Sequence, residues 1–267
     1  MQEQPHSMLL AGERLDQLSR TELSIIQHPG RFCFGMDAVL LSSLASLKAG
    51  ESVCDFGTGT GVIPLLLSSR FSDLQITGLE IQSSMADMAN RSVLLNNLQD
   101  HITILQGDFR AAATLAGKRK FDLVISNPPY KALKDGLINP SSAQAIARHE
   151  LFGDLDDLLQ SAAAVLKPLG RFALVYRPQR LVALLSGMAA VGIEPKRLRL
   201  IQSKIDRKPN LVFVEGVLGG KPELIVEPSL VIYGEDGAYT KELLERYHGG
   251  DKGNDPLLTA AGIDGIP

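Results

Sequence analysis

The chain is poor in the residues that staple small secreted domains or hold metal ions. Its two cysteines, Cys33 and Cys54, are too few for a disulfide framework. Cys54 falls inside an apolar run, where a thiol acts as a small buried hydrophobe. The five histidines (His6, His28, His101, His149 and His248) are scattered, and none stands at ligand spacing from a cysteine, so no metal centre is expected. The start, Met1-Gln-Glu-Gln-Pro5, has neither the basic stretch nor the apolar core of a secretory signal, and no apolar run approaches membrane-spanning length. A cytoplasmic protein with no membrane attachment is expected. A large net charge is missing too. The formal value of −3 speaks mildly against a nucleic-acid substrate, because phosphate neutralisation normally dominates such affinity.

What is present is apolar segments in an order that alternates strand with helix. With 267 residues, 45% of them hydrophobic, the chain can bury one sizeable core. Helices are expected at Leu40–Lys48, with Asp37 as N-cap, and at about 61–70, 82–98, 154–167 and 178–191. Strand Arg171–Tyr176 separates the last two, after a breaker in Lys167-Pro-Leu-Gly-Arg171. Arg197–Gln202 and Leu211–Val217 read as two strands of a hairpin. Residues 249–267 hold five glycines, two prolines and no aromatic, and read as a flexible tail.

Two segments carry chemistry. Phe121-Asp-Leu-Val-Ile-Ser126 reads as a buried strand of a parallel sheet, and Asn127-Pro128-Pro129-Tyr130 follows at once. Two prolines stop strand pairing there. Active sites of open α/β sheets lie just beyond the carboxyl ends of strands, where this tetrapeptide would sit. The Asn127 side-chain oxygen and the Pro128 carbonyl can both accept hydrogen bonds from one NH2 group, while Tyr130 stacks on the planar group that carries it. Such acceptors would help restore nucleophilicity to a nitrogen whose lone pair is delocalised. The second segment is Val53-Cys-Asp-Phe-Gly57-Thr-Gly59-Thr-Gly61, an apolar strand that ends in glycines and opens into a helix. These glycines allow a tight turn and let backbone N–H groups approach a ligand. A dinucleotide fingerprint would need its third glycine at position 62, which is Val62. Glu80 closes the next strand, where a carboxylate can hold both ribose hydroxyls.

The Asn-Pro-Pro-Tyr segment resembles that of S-adenosylmethionine-dependent methyltransferases acting on exocyclic amino or amide nitrogens. The resemblance implies a Rossmann-like class I methyltransferase: an α/β fold with a seven-stranded, mostly parallel sheet and helices on both faces. It implies S-adenosylmethionine as cofactor, with Asp55 near its amino-acid end, Asp108 on its adenine amino group and Phe109 against the ring. Alternatively, each acid taken singly is a helix cap or solvated turn residue. The flanks are similar to bacterial tRNA adenine-N6 methyltransferases, which modify the adenine beside the anticodon of a valine tRNA. That likeness rests on Arg14-Leu-Asp-Gln-Leu18, Arg31-Phe-Cys-Phe-Gly35-Met36-Asp37, Arg148-His149-Glu150 and Tyr239 to His248.

From this resemblance the implied cofactor residues are Gly35, Met36, Asp37, Asp55, Gly57, Thr58, Gly59, Gly61, Glu80, Ile81, Asp108, Phe109 and Asn127. The implied catalytic set is Asn127, Pro128, Pro129 and Tyr130. RNA, specifically tRNA, is the implied partner, held by Tyr130, Lys131, Lys134, Arg148, Lys204, Arg207 and Lys208. His149 is given no catalytic role. Lys196 to Lys208 carry six basic side chains against one acid, and the strip reads equally as a phosphate track or a solvated sheet edge. Three regions follow: 1–48, an N-terminal segment packing over the cofactor site; 49–248, the methyltransferase domain; and the tail 249–267. A monomer is marginally favoured. The alternatives are a glutamine-N5 methyltransferase of release factors, an rRNA guanine-N2 or adenine-N6 methyltransferase, and a cofactor-binding module without catalysis.

Overall fold

The computed structural model describes residues 8–18, 21–30, 33–128 and 154–248. Pro129, Tyr130, Lys131, Lys134, Arg148, His149 and the expected tail at 249–267 lie outside the described residues. A short antiparallel pair, β1 (Arg14–Gln17) and β2 (Ser24–Gln27), leads into α1 (Met36–Leu44). Then strand and helix alternate: β3 (Ser52–Phe56), α2 (Val62–Ser68), β4 (Gln75–Glu80), α3 (Ser83–Leu95), β5 (Ile102–Gln106), α4 (Ala112–Leu115) and β6 (Phe121–Ser126). After these come α5 (Leu155–Val165), β7 (Leu166–Tyr176), α6 (Leu181–Ala190), β8 (Ile193–Gln202), β9 (Leu211–Leu218), β10 (Ile225–Val231) and α7 (Lys241–His248).

The main sheet runs in the order β10-β8-β9-β7-β6-β3-β4-β5, and only β9 opposes its neighbours. Its central strands are continuous apolar runs because both faces are covered. Leu123, Val124 and Ile125 of β6 are each fully buried, yet they divide between two cores. Leu123 and Ile125 pack with α1, α2, α3 and α7 on one face, and Val124 packs with α4, α5 and α6 on the other. The hairpin β1–β2 lies along α3: Ile26 packs on Met85 and Met88, and Asn96 bonds both the N–H and the C=O of Ser24. Arg91 of α3 clamps Glu13 through two nitrogens at 2.6 and 2.7 Å.

The structure departs from the sequence reading at four places. Among the described residues the sheet has eight strands, not seven. β10 carries Pro228, which argues against a central strand, but an outermost strand leaves one row of N–H groups unpaired and tolerates it. The β8–β10 ladder slips between Glu227 and Leu230, across this proline. Helix α1 starts four residues before Leu40, and Gly35, not Asp37, is its N-cap. Asp37 lies inside the first turn, where a carboxylate still complements the helix dipole. Lys167-Pro-Leu-Gly170 does not break the chain between helix and strand. It forms the first part of β7 as a bulge, with Leu169 at φ 62° and a ladder slip between Phe121 and Leu123. The hairpin β1–β2 was not foreseen, its strands being only four residues each.

The basic strip divides. Arg197 of β8 reaches Glu227 of β10 at 2.6 Å and Glu215 of β9 at 3.3 Å, and its guanidinium lies over Phe213. Arg199, buried, bonds the Pro228 carbonyl and pairs with Glu242 of α7. These two arginines fasten the added edge strand and the last helix. Glu215 is 3% exposed and also accepts from the Ser46 N–H at 2.7 Å and the Ser46 hydroxyl at 2.6 Å. Removing the carboxylate leaves a partly buried guanidinium and a backbone donor short of an acceptor. Glu215→Ala should therefore cost on the order of 3 kcal/mol in urea unfolding, against 1 kcal/mol or less for the more exposed Glu227→Ala. Equal losses for the two would show that burial of Glu215 contributes nothing.

Candidate active site

In-register parallel pairing brings the strand ends into one row. Phe56 stands beside Leu79 on one side and Ser126 on the other, Glu80 stands beside Gln106, and Ser126 stands beside Leu174. Each chemistry-bearing segment leaves from this row: the glycine loop after β3, Glu80 and Ile81 at the end of β4, Asp108 after β5, and Asn127-Pro128 after β6. The Ser126 hydroxyl donates to the Phe56 carbonyl at 2.9 Å and ties the last of these to the first.

The glycine loop has the geometry its composition requires. Gly57 and Thr58 donate backbone N–H bonds to the Leu79 carbonyl at 2.9 and 3.0 Å, which folds the loop back over β4. Gly61, at φ 86°, caps α2 in the left-handed region, and a Cβ there would come within 3.2 Å of Ala89 on α3. At Gly57, φ 74°, a Cβ would meet nothing within 4 Å, so the space beside its backbone is open to a ligand. Glu80 is buried and holds the loop: its Oε2 accepts from the Gly59 N–H at 2.9 Å and its Oε1 from the Gln82 N–H at 2.8 Å. Oε1 also accepts from the Gln82 side-chain amide at a long 3.5 Å, so Oε2 is the oxygen that keeps a second lone pair for an incoming hydroxyl.

Asp55 is the anomaly of the site. It is fully buried, both carboxylate oxygens are without a hydrogen-bond partner, and the buried Thr58 hydroxyl beside it is likewise unmatched. Burial pushes its carboxyl up to about 7. The nearby Thr58 hydroxyl draws it part of the way down without reaching normal bonding geometry, and the charge of Glu80 pushes it up again. A buried carboxyl with unused acceptors beside an open glycine loop suits a ligand that brings a cation.

Asp108 caps the 3-10 turn Phe109–Ala111 and is gripped by Arg110, whose N–H and Nε each lie 2.8 Å from it. Partial burial acts to raise its carboxyl, but the Arg110 hydrogen bonds and charge outweigh that and hold it below the usual range. Phe109 stacks on Phe56, centroids 5.6 Å apart. Gly35 also has open space beside it, whereas Met36 turns its side chain into the core, so only its backbone can serve a ligand. Asn127 and Pro128 are half-buried.

Lys204, Arg207 and Lys208 lie between β8 and β9. Because β8 runs parallel to β6, this loop is at the same end of the sheet as Asn127. Two to three strand spacings separate them, roughly 10–15 Å. Three residues missed from sequence fill that interval: Tyr176, Arg177 and Arg180, at and just past the end of β7, the strand paired with β6. The Arg177 guanidinium donates to the Asn210 carbonyl at 3.3 Å and joins the end of β7 to the basic loop. Applying the strand-end rule to β7 would have found them. Among the described residues no group of three or more His, Cys, Asp or Glu side chains could hold a metal ion, and no helix is long and apolar enough to cross a membrane.

A family profile described as "Methyltransferase small domain" matches residues 22–185. Among curated proteins, a Porphyromonas gingivalis protein named tRNA1(Val) (adenine(37)-N6)-methyltransferase is 33% identical over 187 residues, covering 68% of this chain and 72% of that one. A protein of the same name from Tolumonas auensis is 30% identical over 213 residues, covering 79% and 86%. Among solved structures, a predicted O-methyltransferase from Agrobacterium tumefaciens superimposes with a TM-score of 0.65 at 22% identity, covering 80% of this chain and 96% of that one. A methyltransferase from Pyrococcus furiosus gives 0.56 at 20% identity, covering 76% and 92%. These two likenesses establish the fold.

Asp55 makes stability depend on pH. Folding raises its carboxyl from about 4 to about 7, so the folded state keeps a proton that the unfolded chain releases across that window. Stability from this group is full below about pH 4 and is lost as pH rises through 7, by roughly 2–3 kcal/mol between pH 5 and 8. Asp55→Asn, which cannot ionise, should flatten that slope in urea titrations of the ligand-free protein. Parallel pH profiles for variant and wild type would show the carboxyl to be an ordinary one.

Proposed function

Since the chain belongs to the methyltransferase small-domain family and is a methyltransferase dependent on S-adenosylmethionine, we propose that it methylates the N6 amino group of an adenine in tRNA, the one beside the anticodon. One observation carries this reading: the half-buried Asn127-Pro128 leaves β6 directly beside the strand whose glycine loop and neighbouring Glu80 form the cofactor end of the site. The relatives' name supplies the substrate, and a basic loop on the same rim supports a polyanion. Tyr130, Lys131, Lys134 and Arg148 are assigned to the same substrate from sequence. The protein acts as a monomer in the cytoplasm, and its N-terminal segment, whose hairpin lies on α3 beyond Glu80, closes the cofactor side.

The residues present fit the cofactor. Asp55, buried with unused acceptors, would receive its ammonium group. Glu80 would bind the ribose hydroxyls through the lone pair that Gly59 leaves on Oε2 and through Oε1 once the long Gln82 amide contact gives way, and Asp108 with Phe109 would hold its adenine end. S-adenosylmethionine, when bound, supplies a methyl group activated by an adjacent sulfonium. The task of the protein is then to prepare the nucleophile. Asn127 Oδ1 and the Pro128 carbonyl each accept one amino hydrogen and turn the nitrogen lone pair toward the incoming methyl. Tyr130 stacks on the target ring. No side chain has to remove a proton first, because the amine becomes acidic only after methylation and then loses its proton to water.

Asn127→Ala should lower kcat roughly 100-fold or more at saturating cofactor, the scale for losing one preorganised electrostatic partner. Glu80→Gln should weaken cofactor binding by on the order of 1–3 kcal/mol in calorimetry. The glutamine is the better probe, because alanine would also release the Gly59 N–H. Labelled methyl offered with total tRNA, rRNA and release factor should appear as N6-methyladenosine in tRNA. Label in N5-methylglutamine or N2-methylguanosine would overturn the substrate assignment while leaving the cofactor site intact.

A further inference from the structure

We propose that Ile205, at the tip of the β8–β9 loop, is a wedge that enters the base stack of the RNA next to the adenine turned into the site. The inference rests on the RNA reading above and names a residue that would make the extrusion possible. Ile205 is 70% exposed on the rim that carries Asn127. A single exposed aliphatic side chain is ordinary on a protein surface. Three features set this one apart.

The first is charge. Lys204, Arg207 and Lys208 surround it, and the one acid, Asp206, lies 4.0 Å from Arg207. Cations so placed draw phosphates to the loop, and an aliphatic tip brought against a nucleic acid gains apolar contact by entering between bases. The second is bracing. Gln202, nearly buried, donates its amide to the Ile205 carbonyl at 3.2 Å, and the Arg207 N–H closes a turn on the Lys204 carbonyl at 3.0 Å. At the base of the loop, Asn210 N–H meets the Ile201 carbonyl at 3.0 Å and Tyr233 N–H meets that of Ser203 at 2.8 Å. A backbone held at these points presents the side chain at little further cost in ordering. The third is location, because an adenine can reach Asn127 only by leaving its stack, and a wedge nearby fills the gap it leaves. Leu169 shows the contrast. It is equally exposed at 68%, but it lies at the opposite end of the sheet, and its neighbours Lys167 and Arg171 are taken up by Asp122 and Glu51.

The test uses the full-length protein, S-adenosylhomocysteine and an anticodon stem-loop RNA carrying 2-aminopurine beside the target adenine. Wild type should raise the fluorescence on binding, reporting an opened stack. Ile205→Ala should lose more than half of that rise at saturation and about 10-fold or more in kcat/KM, the scale of one lost stacking contact. Its salt dependence should not change, because no cation is removed. Ile205→Leu should restore both signals, and Leu169→Ala should alter neither. Wild-type fluorescence and rate in Ile205→Ala would overturn the wedge, as would loss of a dimer in sedimentation, which would assign Ile205 to a contact between protein copies. Failure of the wild type to bind the stem-loop would overturn the RNA reading and the wedge with it. Methylation by the wild type with an indifferent Ile205→Ala would overturn the wedge alone.

Discussion

In-register parallel pairing of β5, β4, β3, β6 and β7 is the constraint on which the rest of the molecule depends. Once Phe56 stands beside Leu79 and Ser126, the residues that follow each strand must emerge side by side. A one-residue slip of β6 would turn Leu123 and Ile125 into the core now occupied by Val124, and would move Asn127 out of the row. Two-sided burial of these strands makes such a slip expensive. The site is therefore positioned by hydrophobic packing of side chains that never touch it.

Two buried carboxylates show how function and stability divide the electrostatics. Glu215 has acceptors filled from three directions, by the Ser46 N–H, the Ser46 hydroxyl and Arg197, and it ties the start of the β3 connection to the outer sheet. Asp55 has none filled. A scaffold residue gains by satisfying its carboxylate within the fold. Open acceptors on a buried carboxyl cost the folded chain free energy, and a bound cation would offset that cost. Glu80 stands between the two, with Oε1 taken up by Gln82 and a lone pair open on Oε2 beside the Gly59 N–H.

The basic strip makes the same division within thirteen residues of sequence. Arg197 and Arg199 alternate along β8 and reach partners on β9, β10 and α7, while Lys204, Arg207 and Lys208 come after the strand has ended. The low formal charge of the whole chain is thus uninformative about its surface, because part of its basic complement is consumed inside.

The amino-acid sequence by itself determined the alternation of strand and helix, the glycine loop and the end of β6 at Ser126. These are local: an apolar run, a glycine that must take positive φ, and a proline that cannot continue a ladder act within a few residues of themselves. It also pointed to Glu80 and Asp108, through their places at successive strand ends. Only the tertiary structure decided the eighth strand, the bulge that carries Lys167–Gly170 into β7, and the start of α1 at Met36. In each case a neighbour overrode a local preference: an open sheet edge accepted Pro228, the β6 ladder absorbed three extra residues of β7, and Gly35 in extended conformation opened a helix ahead of Asp37. The roles of individual arginines were invisible in sequence for the same reason. Whether a guanidinium meets a buried glutamate or water depends on the strand that folds beside it, and strand order is a property of the whole chain.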